Sequence, residues 1–188
     1  MDAVVLAGGR GSRFEPSVEK PLYRVAGERM VDRVLAALAD SRAGRVHAAI
    51  SPQAPATRDH LSTHDVDLVS TPGAGYVADL EVALDAIGRP ALTVAADLPL
   101  LDGDAVDAVL AARDGGSLTA AVPVALKRAL DVSADTTLPG GRLAPAGVNV
   151  VGDGDDRQWV TWDARLAVNV NRAGDAAVAE RLAGALDP

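Results

Sequence analysis

Val4-Val5-Leu6-Ala7-Gly8-Gly9-Arg10-Gly11-Ser12-Arg13-Phe14 takes the chain from a short apolar, β-branched run directly into consecutive glycines. An uninterrupted apolar run of this length, closed by glycine, reads as a strand buried on both faces, as in a parallel sheet. Glycines at the carboxyl end of such a strand let bare backbone N–H groups approach phosphate oxygens with no Cβ in the way. Open α/β sheets bind ligands at that end. The stretch is not a Walker loop, since no Gly-Lys-Ser/Thr follows, and Phe14 stands where the dinucleotide fingerprint needs its third glycine. Further on, Arg13 and Lys20 set two cations about a loop's length beyond the glycines, suited to clamping the tail of a triphosphate where charge develops on a departing pyrophosphate. The alternative is a tight turn with two solvated basic residues.

Working outward, Val46–Ile50, Asp67–Ser70 and residues 91–96 are further apolar or β-branched runs bounded by Gly, Pro, Asp or Ser. Between them Val31, Val34, Leu35 and Leu38, then Val77, Leu80, Leu84 and Ile87, recur at helical spacing. Strand and helix therefore alternate, which predicts an α/β fold around a mostly parallel sheet. Residues 102–113 read as a helix capped by Asp102. The pattern then changes: 118–124, 148–151 and 166–170 read as strands with irregular connections, and a last helix covers roughly 175–186. Residues 129–146, with Pro139, Gly140, Gly141 and Pro145, form a long aperiodic segment of the kind that is more often functional than structural.

The 188 residues suit one compact domain over 1–188, with 48% hydrophobic side chains and a formal charge of −8. The absence of cysteine removes disulfides, thiolate metal sites and thiol nucleophiles. No apolar run approaches the roughly 18 residues of a membrane span, and Asp2 stands where a secretory signal carries positive charge, so the expectation is a cytoplasmic protein. The acidic balance argues against nucleic-acid binding, which draws on Lys and Arg. Lysine occurs only at positions 20 and 127 beside 16 arginines, and 21 Asp outnumber 5 Glu. Adaptation to high salt and a GC-biased genome both account for this, and both stay open.

The pattern LAGGxGxRF followed by Glu19-Lys20-Pro21-Leu22 resembles the signature of nucleotidyltransferases that move a nucleoside monophosphate to a phosphate acceptor, a group that includes molybdenum-cofactor guanylyltransferases and sugar-phosphate nucleotidyltransferases. The runs 71–80 (TPGAGYVADL) and 143–151 (LAPAGVNVV) are similar to segments of the archaeal adenosylcobinamide-phosphate guanylyltransferases. The resemblance covers essentially the whole chain. It implies a three-layer, Rossmann-like nucleotidyltransferase fold, and GTP and adenosylcobinamide phosphate as substrates. It places GTP along Leu6, Ala7, Gly8, Gly9, Arg10, Gly11, Ser12 and Arg13, with Lys20, Ser51, Thr71, Gly73, Gly75 and Asp79 completing the site. Arg13, Lys20 and Asp97 become the catalytic set.

Asp97 closes the run 91–96, and an acidic residue at the carboxyl edge of a central strand can reach Mg²⁺ bridging phosphates, the role implied by its counterparts. The alternative is that it merely caps a turn before Pro99. Asn169-Val170-Asn171 resembles the NxN motif that lies near metal and acceptor in molybdenum-cofactor guanylyltransferases, although Arg172-Ala173 replace its usual Thr-Pro. On a strand both amides would share one face. Acceptor contacts are expected from these two and from Pro145, Gly147 and Asn149. Asp79 is either a base or ribose acceptor or an exposed helix-start carboxylate.

Trp159 and Trp162 read better as core or subunit contacts than as a stacking platform. His60 and His64 sit one helical turn apart, a zinc-gripping spacing, but no third ligand is evident nearby in sequence, so a solvated helix face is expected. His47 reads as a core or edge residue. A homodimer is a base-rate expectation, with the closing helix as the contact face.

Overall fold

The computed structural model describes residues 1–9 and 18–186. Its centre is a seven-stranded sheet in the order β5-β4-β1-β6-β8-β7-β9. The strands are β1 (Ala3–Leu6), β4 (Val46–Ile50), β5 (Asp67–Ser70), β6 (Ala91–Ala95), β7 (Ser117–Pro123), β8 (Leu143–Val151) and β9 (Asp156–Val160). β2 (Arg24–Val25) and β3 (Glu28–Arg29) form a small separate hairpin. β1 pairs in parallel with β4 on one side and β6 on the other. β8 alone runs against its neighbours β6 and β7. The chain moves outward from β1 through β4 to β5 and returns to β6, so β1 and β6 meet at the point where strand order reverses. In open α/β sheets that is where ligands bind.

The helices are α1 (Met30–Ala39), α2 (Pro55–Leu61), α3 (Tyr76–Ile87), α4 (Gly103–Ala112), α5 (Val124–Ala129) and α6 (Ala173–Leu186). Alternation along β1 sends Ala3, Val5 and Ala7 into the main core, where Val31, Val34 and Leu38 of α1, Leu61 of α2 and Val106 and Val109 of α4 cover the sheet. Val4 points the other way, against Ala49 and Ala83 of α3. α6 lies over a second cluster built from Val25, Met30, Leu100, Val168 and Val170. Asp102 caps α4 as expected, its Oδ1 accepting from the Ala105 N–H at 2.9 Å. No helix among the described residues is long and apolar enough to cross a membrane.

The expected strand at 166–170 does not form. Residues Ala164–Leu166 make a 3-10 turn instead, and Val170 N–H donates to the Asp97 carbonyl at 2.9 Å as an isolated rung. Val168 and Val170 are apolar because they are buried under α6, not because they join the sheet. The segment 129–146 is only partly a loop, because its last residues already belong to β8. β9 and α5 have no counterpart in the sequence pattern, whereas the helix face expected at His60 and His64 falls on α2, which ends at Leu61 and leaves His64 in the turn beyond it.

Candidate nucleotide site

β8 alternates strictly: Ala144, Ala146, Val148 and Val150 are buried in the core. Period two therefore presents Pro145, Gly147 and Asn149 on the opposite face. There these residues join Leu6, Ala49 and Ala95 as the floor of a cavity of about 860 Å³. Its walls come from Gly8 and Gly9 after β1, Thr71 and residues 73–75 before α3, Tyr76 and Asp79 of its first turn, Asp97 after β6, residues 133–136 of the loop after α5, and Asn169 with Asn171. The size falls in the range of small-molecule and cofactor sites. The small side chains at 49, 95 and 147 leave room for it.

Lys20 stands at the centre of the polar chemistry. Its ammonium donates to Asp97 Oδ2 at 2.6 Å and to Asn171 Oδ1 at 2.8 Å. The preceding Glu19 fixes it in place, its carboxylate accepting from the N–H groups of Ala56 and Thr57 and from the Thr57 hydroxyl at 2.6–2.9 Å. Glu19 thereby satisfies free donors in the first turn of α2. Pro21, in the 3-10 turn Lys20–Leu22, has its missing N–H at a position that needs none. The EKPL motif is thus a lysine mounted between an anchored glutamate and a rigid turn.

A second lysine, not singled out in the sequence, lies beneath it. The Lys127 ammonium is buried and donates to the Ala167 carbonyl at 2.7 Å and to Asn169 Oδ1 at 3.1 Å. Burial pushes its pKa below the usual lysine range, against the opposing pull of Asp175, Asp97 and Asp135. Asn169 Nδ2 in turn donates to the Ala146 carbonyl at 3.3 Å and, more weakly, to Asp97 Oδ1 at 3.4 Å. Both amides of the NxN motif therefore reach Asp97 or its lysine partner, although the segment is extended loop rather than strand.

Asp175, in the first turn of α6 and buried, holds that loop. One carboxylate oxygen accepts from the Ser133 N–H, and the other from the Ser133 hydroxyl and the N–H groups of Asn171 and Arg172, all at 2.7–2.9 Å. Arg172, a departure from the family motif, pairs with Asp135 at 2.6 Å and ties the loop to the cavity wall. Lys127 was findable as one of only two lysines, preceded by the apolar run 118–126. Asp175 and Asp135 carry no such signal, and Glu19 is visible only as a member of the EKPL motif.

Leu6, Ala7, Gly8, Gly9, Lys20, Thr71, Gly73, Gly75, Asp79, Asp97, Pro145, Gly147, Asn149, Asn169 and Asn171 all line this cavity. Arg10, Gly11, Ser12 and Arg13 lie outside the described residues. Ser51 sits behind the wall: fully buried, it donates to the Gly8 carbonyl at 2.5 Å. A Cβ on Gly8 would come within 2.6 Å of the Ser51 backbone nitrogen, so glycine is required there for packing as well as for ligand approach. Asp79 accepts from the Gly73 N–H at 2.7 Å, which closes the loop before α3. The Thr71 hydroxyl and Asn149 Oδ1 are buried polar atoms with no protein partner. Both residues line the cavity, as expected where a polar ligand completes the bonding. Trp159 packs against the core from β9 while Trp162 is exposed, and neither borders the cavity.

A family model described as the MobA-like NTP transferase domain matches residues 3–186. The chain is 28% identical to the adenosylcobinamide-phosphate guanylyltransferase of Methanocaldococcus jannaschii, with 97% of each chain covered. It is 31% identical over 122 residues to the bifunctional protein GlmU of Maricaulis maris, a match spanning 63% of this chain and 27% of that protein. A nucleotidyl transferase structure from Methanothermobacter thermautotrophicus shares the fold, with a TM-score of 0.69, 18% identity and 96% of both chains covered. Because the family match runs from the first strand into the last helix and takes in every wall of the cavity, the chain belongs to the MobA-like NTP transferase domain family.

Proposed function

We propose that this protein transfers GMP from GTP to adenosylcobinamide phosphate, forming adenosylcobinamide-GDP and releasing pyrophosphate. The observation that carries this reading is the end-to-end similarity to the Methanocaldococcus jannaschii enzyme, 28% identical over 97% of both chains. An oxygen of the acceptor phosphate attacks the α-phosphorus; the bond from that phosphorus to the α,β-bridging oxygen breaks, and the electron pair leaves with pyrophosphate. A phosphomonoester is already mostly dianionic near neutrality, so no general base is needed. The residues act by holding two anions together and by neutralising the leaving group.

The Gly8-Gly9 backbone and Lys20 take the triphosphate, and Pro145, Gly147 and Asn149 face the acceptor. Binding turns the Lys20 ammonium from Asp97 toward the phosphates. Asp97 lies beside Asn169 and shares Lys20 with Asn171, and hard oxygen donors of this kind suit Mg²⁺ when substrate phosphates supply further ligands. These three residues would hold the ion, which when bound neutralises charge on the phosphate oxygens. Thr71 and the loop closed by Asp79 face the base and ribose.

A sugar-phosphate acceptor is the second reading, favoured by the GlmU match over the first two-thirds of the chain. Incubating the protein with GTP and Mg²⁺ plus either adenosylcobinamide phosphate or a sugar 1-phosphate, and following pyrophosphate release, separates them. The expected result is release with the corrinoid alone. Release only with the sugar phosphate transfers the assignment, and GTP binding without release from any acceptor points to a non-catalytic nucleotide sensor.

A further inference from the structure

His60 closes α2 and His64 follows in the turn beyond it, and the fold brings to them the third group that the local sequence lacks. Asp32, in the first turn of α1, directs Oδ1 at both rings: His60 Nε2 lies 2.5 Å away and His64 Nε2 3.4 Å away. One ligand atom from each residue lies within 4.8 Å of the others, and among the described residues no other trio of His, Asp or Glu meets this condition. All three side chains are partly buried, at 16%, 32% and 20% exposure.

The hydrogen bonding gives the arrangement a direction. His64 Nδ1 lies 3.1 Å from the His60 carbonyl, an acceptor, so this nitrogen carries the proton. In the neutral ring Nε2 then carries a lone pair, and it faces a carboxylate oxygen at 3.4 Å. A metal cation between these two electron-rich atoms would satisfy both, as would a second proton on the ring. A carbonyl bond to the distal ring nitrogen is also the usual way a metal-binding histidine is oriented. Ligands on a tetrahedral zinc, at bonds of about 2.0–2.1 Å, stand roughly 3.3 Å apart. The His64–Asp32 spacing matches that already, and His60 needs to withdraw from Asp32 by less than about 1 Å. Arg29 Nη1, 3.7 Å from the other Asp32 oxygen, steadies the carboxylate from outside.

We propose that Asp32, His60 and His64 form a Zn²⁺ site, distinct from the nucleotide cavity, that clips α1 to α2, with water as a fourth ligand. Zinc displaces the proton between His60 and Asp32: in a neutral ring it moves to Nδ1, and from an imidazolium one proton passes to solvent. Two imidazoles and a carboxylate form a donor set that suits zinc better than Mg²⁺ or Ca²⁺. The clip fixes the far end of the helix whose first turn holds Glu19.

The test is calorimetric titration of Zn²⁺ into chelator-stripped protein without a histidine tag. The expected result is one tight site per chain, weakened about 100-fold or more by His64→Ala or His60→Ala and unchanged by His47→Ala or Asp97→Asn. Zinc at a hundredfold excess over Kd should raise Tm by about 5–10 °C in the wild type, His47→Ala and Asp97→Asn, and not in the His60 or His64 variants. Co²⁺ loaded into the wild type should give the visible bands of a nitrogen-ligated tetrahedral ion, a readout that does not depend on any variant folding. Absence of uptake, uptake that survives the His60/His64 double substitution, or uptake lost with Asp97→Asn each overturns the proposal. None of these outcomes depends on whether the protein transfers nucleotides.

Discussion

The Lys20 ammonium and the Asp97 carboxylate, 77 positions apart in the chain, meet at 2.6 Å at the carboxyl edges of the central strands, with Asn171 completing the lysine's coordination at 2.8 Å. On the proposed function, the pair keeps a cation and a carboxylate ready where the phosphate oxygens are to be received. Such a contact stores charge that a nucleotide can redistribute.

Lys20→Ala is accordingly expected to lower kcat for pyrophosphate release by at least about 100-fold, the scale seen when a group stabilising transition-state charge is removed. The fold should persist, since the Glu19 anchor remains. Asp97→Asn should lower kcat similarly while leaving GTP binding detectable. Steady-state kinetics with circular dichroism as the folding control provides the check, and near-normal turnover for Lys20→Ala would sink the clamp.

Lys127 predicts a pH dependence of stability. Its folded-state pKa is depressed by burial. Between that value and the ordinary lysine value of about 10.4 the unfolded chain binds more protons than the folded one, so this residue's contribution to stability rises with pH across the window and levels off above it. Lys127→Met removes the titration and leaves the Ala167 carbonyl and Asn169 Oδ1 short of a donor, at a cost of about 1–3 kcal/mol near neutrality. Urea unfolding from pH 7.5 to 10.5 should show the wild type gaining on the variant as pH rises. A constant difference refutes the assignment.

Gly147 separates packing from conformation. Its φ of +83° is one that L side chains rarely adopt, and a Cβ would lie 2.8 Å from Asn169 Nδ2. Gly147→Ala should cost about 1–3 kcal/mol through backbone strain. It should also push the Asn169 amide off its contacts with Ala146 and Asp97, so activity should fall further than the loss of folded protein explains. Turnover normalised to folded fraction is the measurement.

Asp175→Asn tests the loop anchor. The carboxylate accepts four hydrogen bonds, and an amide accepts at one oxygen only. A fall in Tm with a larger rise in KM for the acceptor than for GTP is expected, because Asn171 loses its backbone support. Equal effects on both substrates would make Asp175 purely structural.

Much of the fold could be read in the residues because local pattern and tertiary role agree there. The runs at 46–50 and 67–70 are strands at those bounds, and Asp102 caps its helix. The reading at 166–170 failed because burial under α6 produces the same apolar spelling as burial in a sheet. β9 escaped notice because an edge strand with an exposed pattern has little hydrophobic period to detect. In the site, Lys20, Asp97 and the NxN amides were visible as motif residues. Lys127, Asp135 and Asp175 act through partners some forty positions away, and one-dimensional spacing does not encode such pairings.

Gly8 is held by Ser51, and Glu19 is held by Ala56 and Thr57. Both flanks of the glycine-rich stretch are therefore moored to one short piece of chain, the passage from β4 into α2. For anyone building chimaeras between relatives of differing nucleotide preference, these two regions form one transplantable module. Exchanging residues 8–19 alone would mismatch the moorings, whereas carrying 51–57 along with them should keep the graft seated.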